Sequence, residues 1–417
     1  MKRYRFLTGF IVLLFLSACA TYYQKNQELM DAVYAGNYQG ASDIMDKGKL
    51  KKQNRNKLLY YFNKGTVLFM DNKPEESNKF FQQADYFIED YQKNYATKAA
   101  TFLTNPSLQT YEGENYEKVM VHYYTTLNYL QLNNLDAALV ECKRMQLKLQ
   151  KITDYYKGKN KYKDDAFVYM LTGIVYDAQG DNNNAFIAYR NAYKIYKEVY
   201  VSELNTPIPA QLKYDLIRTA TFTGFSQEAA DYKAEFGLQS YQPQKDSKAS
   251  LVTFWNNGFS PVKDQWSINF SVVNTGDGWV NFTNWDLGLS FPFYVGNDKD
   301  ALSGLNIIRV AFPKYISRVL AIKSASVSIE SLKETASFNV VQNLDKIAYV
   351  SLKDRMLKEM GEALLRLALK QVAAAQARKQ NDLLGAAVSI AGAISEQADT
   401  RNWQTLPSFI GYSRIQL

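Results

Sequence analysis

The chain holds a single histidine, His122, in 417 residues. That count rules out a His-Glu-x-x-His zinc site and any cluster of histidine ligands. Cysteines number two, Cys19 and Cys142, too few for a disulfide framework. No G-x-S-x-G elbow, no G-x-x-x-x-G-K-[ST] loop and no G-x-G-x-x-G after a strand is present. Neither apolar stretch, at 6–16 or 383–399, reaches the roughly 20 residues of a membrane-spanning helix. Charge of one sign is scarce too. Setting aside Lys2, Arg3 and Arg5 leaves 46 basic against 41 acidic residues. No basic block concentrates that small excess, so nucleic acid is not an expected partner. A catalytic pair of carboxylates from distant parts of the chain stays open. Otherwise no catalytic set, no metal and no small-molecule cofactor is expected.

What is present begins with a basic head, a mostly apolar run over 6–16 and small residues at Ser17 and Ala18. This is the layout of a secretory signal. Leu16-Ser17-Ala18-Cys19 resembles the lipobox of bacterial lipoproteins; the alternative is an ordinary signal that happens to end in a cysteine. The resemblance implies cleavage after residue 18 and fatty-acyl groups on Cys19. Several acyl chains hold a protein to a bilayer where one holds it only marginally. Ala20 in place of an aspartate implies the outer membrane, by resemblance to enteric sorting, with the protein facing the periplasm. Residues 19–25 would be a lipidated tether.

Residues 26–237 read as helical hairpins. Apolar residues recur at three- and four-residue steps in 58–70. Gly65, Ser77, Phe81 and Ala84 share their spacing with Gly173, Ala185, Tyr189 and Ala192. This small, small, aromatic, small pattern resembles the tetratricopeptide repeat, a stacked helix–turn–helix. It implies small residues where two helices approach closely and an aromatic that fills the gap between hairpins. Weaker copies place Ala41 after a Gly36-Asn37 turn and Ala138 after an Asn133-Asn134 turn. In the second, Cys142 takes the aromatic slot, which marks it as a core residue. His122 is expected to be a packed ring and not a ligand. A fifth hairpin is expected around Gly224 and Ala229. Such hairpins stack into a solenoid with one continuous core.

Residues 238–250 read as a linker. Beyond it, Trp266, Ile268, Phe270 and Val272 alternate with polar residues, the mark of a half-buried strand. Further strands are expected at 307–312, 318–329, 337–341 and 347–352, then a helix over 353–379. The Gly/Ala-rich stretch 383–399 is expected to be a helix packed closely on the sheet, or else one that presses on a membrane or partner. A last strand is expected over 409–417, pairing back into the sheet. The fold class is therefore α+β and multi-domain: an all-α tetratricopeptide-like solenoid, then a mixed β-sheet domain with C-terminal helices over 251–417. The ending Ala398-Asp399, Arg401, Trp403, Leu406-Pro407 resembles an uncharacterised family of bacterial lipoproteins that joins such hairpins to a C-terminal domain.

The solenoid resemblance implies a protein-binding scaffold whose partners are envelope proteins or peptides, held on the concave face of the inner helices. By repeat position that face includes Phe62, Thr66, Phe69, Tyr123, Leu127, Met170, Ile174 and Asp177. It lacks the lysines and arginines that would clamp a C-terminal carboxylate, so an apolar or aromatic-rich ligand is expected. The 31 tyrosines offer area and a hydrogen-bonding tip; a compositional bias is the other reading. The alternative function is an envelope enzyme acting on glycan or peptide through Asp277, Asp286, Asp298 and Asp300.

Overall fold

The computed structural model describes residues 21–92, 103–156, 162, 164–244, 249–296, 302, 306–380 and 397–417. Cys19 and the signal stretch lie outside the described residues, as does most of the Gly/Ala-rich stretch, 381–396. A short helix, Tyr22–Lys25, with Tyr22 buried, is followed by five antiparallel helix pairs. They are α1 Gln27–Tyr34 with α2 Tyr38–Lys47, α3 Lys57–Met70 with α4 Pro74–Gln92, and α5 Asn115–Gln131 with α6 Leu135–Tyr155. The last two are α7 Ala166–Ala178 with α8 Asn182–Ile195, and α9 Ala210–Phe222 with α10 Ser226–Phe236. Each intervening turn holds one residue at positive φ: Gly36, Asn72, Asn133, Gly180 and Gly224. Glycine and asparagine reach that region at least cost. A side-chain oxygen of Asn37, Asn134 or Asp181 then accepts a backbone N–H at the start of α2, α6 and α8, capping otherwise unpaired donors.

The repeat spacing has the physical basis read from it. Ser77 Oγ donates to the Gly65 carbonyl at 2.8 Å, so two small residues meet where α3 and α4 approach. A methyl group on Gly65 would lie 2.7 Å from the Phe81 ring, and one on Gly173 2.6 Å from Tyr189. The aromatic thus covers the glycine of its own hairpin. It also bridges to the next, since Phe81 stacks on Tyr124 of α5 at 5.4 Å. Cys142 is fully buried in the corresponding slot of α6, and burial pushes its thiol up to about 12. His122 is a packed ring. Its Nδ1 lies 2.7 Å from Glu141 and its Nε2 3.5 Å from Asp85. Burial pulls its pKa down, but the hydrogen bonds and charges of these carboxylates outweigh that and leave it raised.

The strands form three sheets. In the first, β9 (Phe409–Gln416) lies between β1 (Ser250–Asn257) and β8 (Asn339–Asn343), all antiparallel. The second has the order β4-β3-β2-β5, from β2 Val262–Gly276, β3 Trp279–Asn284, β4 Leu289–Tyr294 and β5 Ile307–Ile316. The third is a small hairpin of β6 Ser326–Ile329 and β7 Glu334–Ser337. Helix α11, Leu344–Gln380, packs Met360, Leu364 and Leu367 on Ile268, Phe270 and Phe312 of the second sheet. The alternation in β2 holds: Ile268 and Phe270 are buried while Ser267 and Asn269 are exposed. The expected last strand is β9, and it does pair back. Among the described residues no helix is long and apolar enough to cross a membrane.

Three details differ from the sequence expectation. Residues 347–352 are helical, because α11 starts at Leu344, where Asn343 Oδ1 accepts the Lys346 N–H at 3.0 Å. Leu344, Ile347, Ala348 and Leu352 are buried on one helical face, a spacing that a short apolar run does not distinguish from a strand. In 318–329 only Ser326–Ile329 is strand. Arg318 instead pins the β1–β2 connection by donating to the Ser260 carbonyl at 2.8 Å. β1 lacks polar–apolar alternation and gives no strand signal of its own.

Gly65→Ala should lower thermal stability by about 1–3 kcal/mol, the usual range for overpacking. The Phe81 ring is held by Tyr124 and cannot retreat freely. Phe81→Leu in the same chain should recover part of the loss in a melting experiment.

Candidate functional site

The concave face of the solenoid is where the inner helices α3, α5, α7 and α9 turn polar side chains inward. Asn63 and Thr66 of α3, Glu117 of α5 and Asp215 of α9 are all essentially inaccessible to solvent. Buried polar groups require partners, and the chain's own last residues supply them. Residues 401–415 are buried throughout.

Trp403 occupies the centre. Its ring stacks on Phe62 with centroids 4.2 Å apart and 14° between planes. Its Nε1 donates to Thr66 Oγ1 and Thr405 Oγ1, each at 3.0 Å. Its backbone N–H donates to Glu117 Oε1 at 2.6 Å, and Thr405 Oγ1 donates to Asn63 Oδ1 at 3.0 Å. Glu117 also accepts from the Tyr111 hydroxyl at 2.7 Å and the Glu114 N–H at 2.8 Å. Burial and the nearby Glu114 charge raise the Glu117 pKa, and its donors offset only part of that rise. On the N-terminal side, Arg401 donates to the carbonyls of Arg55 and Pro106 and to Asn56 Oδ1. It also pairs with Asp399 at 2.6 Å.

The far end is ionic. Arg414 of β9 pairs with Asp177 of α7 and, at 3.1 Å, with Asp215 of α9. Arg218 of α9 pairs with the same two carboxylates, and the Tyr412 hydroxyl donates to Asp215 at 3.1 Å. Two cations thus face two anions. Burial pushes the Asp177 pKa up, but hydrogen bonds from Arg218 and the charges of both arginines bring it below the ordinary carboxylate value. A separate ion cluster joins the second sheet to α5: Glu114 pairs with Lys263 of β2 and Arg355 of α11.

The residues expected on the concave face divide into two groups. Phe62 lies under Trp403. Tyr123 donates to Asn256 of β1 at 2.7 Å, and Met170 is fully buried with the Tyr196 hydroxyl 3.9 Å from its sulfur. These three are covered by the chain itself. Half-buried Phe69 and the largely buried Leu127 and Ile174 border an open groove of about 1070 Å³ between the C-terminal ends of the inner helices and β1. Thr66 and Asp177 hold the C-terminal segment. Many tyrosines serve the interior: Tyr116, Tyr123, Tyr124, Tyr189, Tyr196 and Tyr200 are buried. Asp277 and Asp286 sit exposed in two separate turns of the second sheet, whereas Asp298 and Asp300 lie outside the described residues. Sequence reasoning missed Asn63, Glu117, Asp215 and Arg218. The signal for them was polar residues on the inner stripe of each first helix, where packing alone calls for apolar ones.

No protein-family model matches the chain, and no curated protein matches it. Among solved structures it is similar to MamA at 14% identity, over 50% of this chain and 86% of that one, with a TM-score of 0.32. It is similar to the apo form of RapI at 15% identity and a TM-score of 0.33; that match covers 51% of this chain and 49% of RapI, about half its length. BtubC from P. vanneervenii matches at 16% identity, over 55% of this chain and 82% of that one, with a TM-score of 0.31.

Trp403→Ala should cost about 3–5 kcal/mol in denaturant unfolding, the range for a buried large aromatic. The ionic end gives a pH test. Asp177 has a depressed folded pKa, so its contribution is complete above the unfolded carboxylate value and is lost as pH falls through the folded one. Arg414→Leu removes one cause of that depression. Its stability should therefore fall less than the parent's between about pH 5 and pH 3, as read from unfolding midpoints.

Proposed function

We propose that this chain is a lipid-anchored scaffold of a bacterial cell envelope, with the open part of its concave groove as the partner-binding site. One observation carries the binding half of this reading. The same concave face already grips another stretch of polypeptide, residues 401–415, a turn that leads into β9, through a stacked tryptophan and paired ions. Directly beside it lies an open groove bordered by half-buried Phe69 and by the largely buried Leu127 and Ile174. A face that holds a turn and a strand so completely has the chemistry to hold a further segment. The occupied part serves assembly of the chain; the open part serves a partner that is uncharged where it meets the floor, since Asp177, Arg218 and Arg414 pair with each other and with Asp215.

The anchoring half rests on the lipobox-like Leu16-Ser17-Ala18-Cys19. Fatty-acyl groups on Cys19 would hold the chain at the outer membrane on the periplasmic side, the placement that Ala20 implies. The residues from Thr21 would then lead straight into the first hairpin.

Two measurements test the halves separately. Cys19→Ala should move the protein from the membrane fraction to the soluble fraction, and unchanged membrane retention would remove the anchor. Leu127→Lys should abolish co-purification of partner proteins crosslinked in intact cells while leaving membrane retention as in the parent. Partners retained by Leu127→Lys would remove the groove from the account.

A further inference from the structure

The first sheet has two edges, and the fold treats them differently. β8 is short, is broken by a bulge between Val340 and Gln342, and is capped: the Tyr196 hydroxyl donates to the Val341 carbonyl at 2.6 Å. The Asn339 side chain accepts the Ala210 N–H at 2.7 Å. These are ordinary protections of a sheet edge. β1 has no bulge, and its protection is a side-chain bond near one end, where Asn256 accepts the Tyr123 hydroxyl at 2.7 Å. Its eight residues, Ser-Leu-Val-Thr-Phe-Trp-Asn-Asn, contain no charge and no proline. They pair with β9 in one unbroken register from Ser250↔Gln416 to Asn257↔Phe409. Among the described residues no strand pairs with the other side of β1. A long, regular, uncharged edge is a template for a further strand.

The parity of the ladder says which groups face outward. The Leu417 N–H donates to the Ala249 carbonyl at 2.9 Å, so the odd-numbered residues of β1 form the hydrogen-bonded pairs with β9. In an antiparallel ladder the alternate residues then turn their N–H and C=O groups to the free side. These are Ser250, Val252 and Phe254, and all three line the open groove. Across that groove lie Phe69, Leu127 and Ile174. The Phe254 ring meets Phe167 of α7 edge-on at 6.4 Å. Ile174 lies two turns further along α7, about 10 Å, while a neighbouring strand sits only about 4.8 Å from β1. An added strand would lie in the groove that these residues border, with one set of its alternating side chains turned toward the helices.

We infer that β1 accepts an extended segment of a partner protein as a fourth strand of the first sheet, with that segment's alternate apolar side chains seated on Phe69, Leu127 and Ile174. This rests on the groove reading above and names the form of its ligand. The site is continuous with an interface the fold already uses: β9 lies on the same concave face, and Asn256, Arg414 and Gln416 border both. A second folded copy is a poor occupant, because its own β1 would be walled by its own helices in the same way. The chemistry selected is a short strand of apolar residues alternating with uncharged polar ones, carrying no charge toward the floor.

The test uses the full chain and labelled ten-residue peptides in which valine or phenylalanine alternates with threonine. Peptides of the same composition with helical spacing are the comparison. Val252→Pro removes one outward N–H, and proline is tolerated where an edge N–H faces away from the sheet. Alternating peptides should bind in fluorescence anisotropy, helically spaced ones at least tenfold more weakly. Val252→Pro and Leu127→Lys should each cost at least tenfold. In the unaltered chain the Val252 and Phe254 amides should gain protection from hydrogen exchange when the peptide is bound, a readout independent of how well Val252→Pro folds. Loss of binding in Leu127→Lys, with full binding in Val252→Pro and no gain of amide protection, would overturn strand addition and leave the groove standing. Absence of binding by every alternating peptide would overturn it as well. So would self-association of the chain that Val252→Pro dissolves, since the edge would then belong to a second copy.

Discussion

The stacking of Trp403 on Phe62 is the contact on which the rest of the architecture depends. It places an indole at the centre of a face that is polar where a helical stack would ordinarily be apolar. Thr66 and Thr405 share the indole N–H, Glu117 accepts the backbone N–H of Trp403, and Thr405 donates to Asn63. Without the segment these inner-helix groups would face an open groove. With it, each of these polar groups has a partner and the solenoid and the first sheet share one core.

That core has a consequence for assembly. Residues 62 and 403 meet across most of the chain, and β9 is the middle strand between β1 and β8. Neither β1 nor β8 can complete its pairing until the C-terminus arrives. Contacts of such long sequence separation form late and slowly. The ion network of Arg414 and Arg218 with Asp177 and Asp215 then fixes the register at the far end. An unpaired member of such a buried set is costly by about 3–5 kcal/mol, so a one-residue slip of β9 would be strongly disfavoured.

The helical half was legible because its signals are local. Gly65, Ser77, Phe81 and Ala84 fall within one hairpin, and their spacing reports a close approach that the backbone geometry demands. Cys142 in the aromatic slot could be read as core for the same reason. The Trp403 motif was visible as a motif, but its place was not. Its partners lie hundreds of residues away, and nothing in a one-dimensional pattern joins them. The sign was present in α3 and α5, where Asn63, Thr66 and Glu117 interrupt the stripe expected to be apolar. Residues 347–352 were misread because four apolar residues in a short run satisfy both periods. β1 escaped notice for the opposite reason, since it has neither alternation nor a turn signal at its start. Of the concave-face residues, Phe62, Tyr123 and Met170 lie beneath the chain's own sheet or tail, while Phe69, Leu127 and Ile174 border the groove beside β1.

The most direct measurement is amide hydrogen exchange along residues 401–415 in the isolated full chain. If this segment is an integral part of the concave face, its amides exchange only through unfolding of the whole molecule, at the rate of the inner-helix amides around Phe62 and Tyr123. Exchange within seconds at Trp403 and Arg414, while α3 and α5 stay protected, would show a terminus that merely visits the groove and would contradict the account.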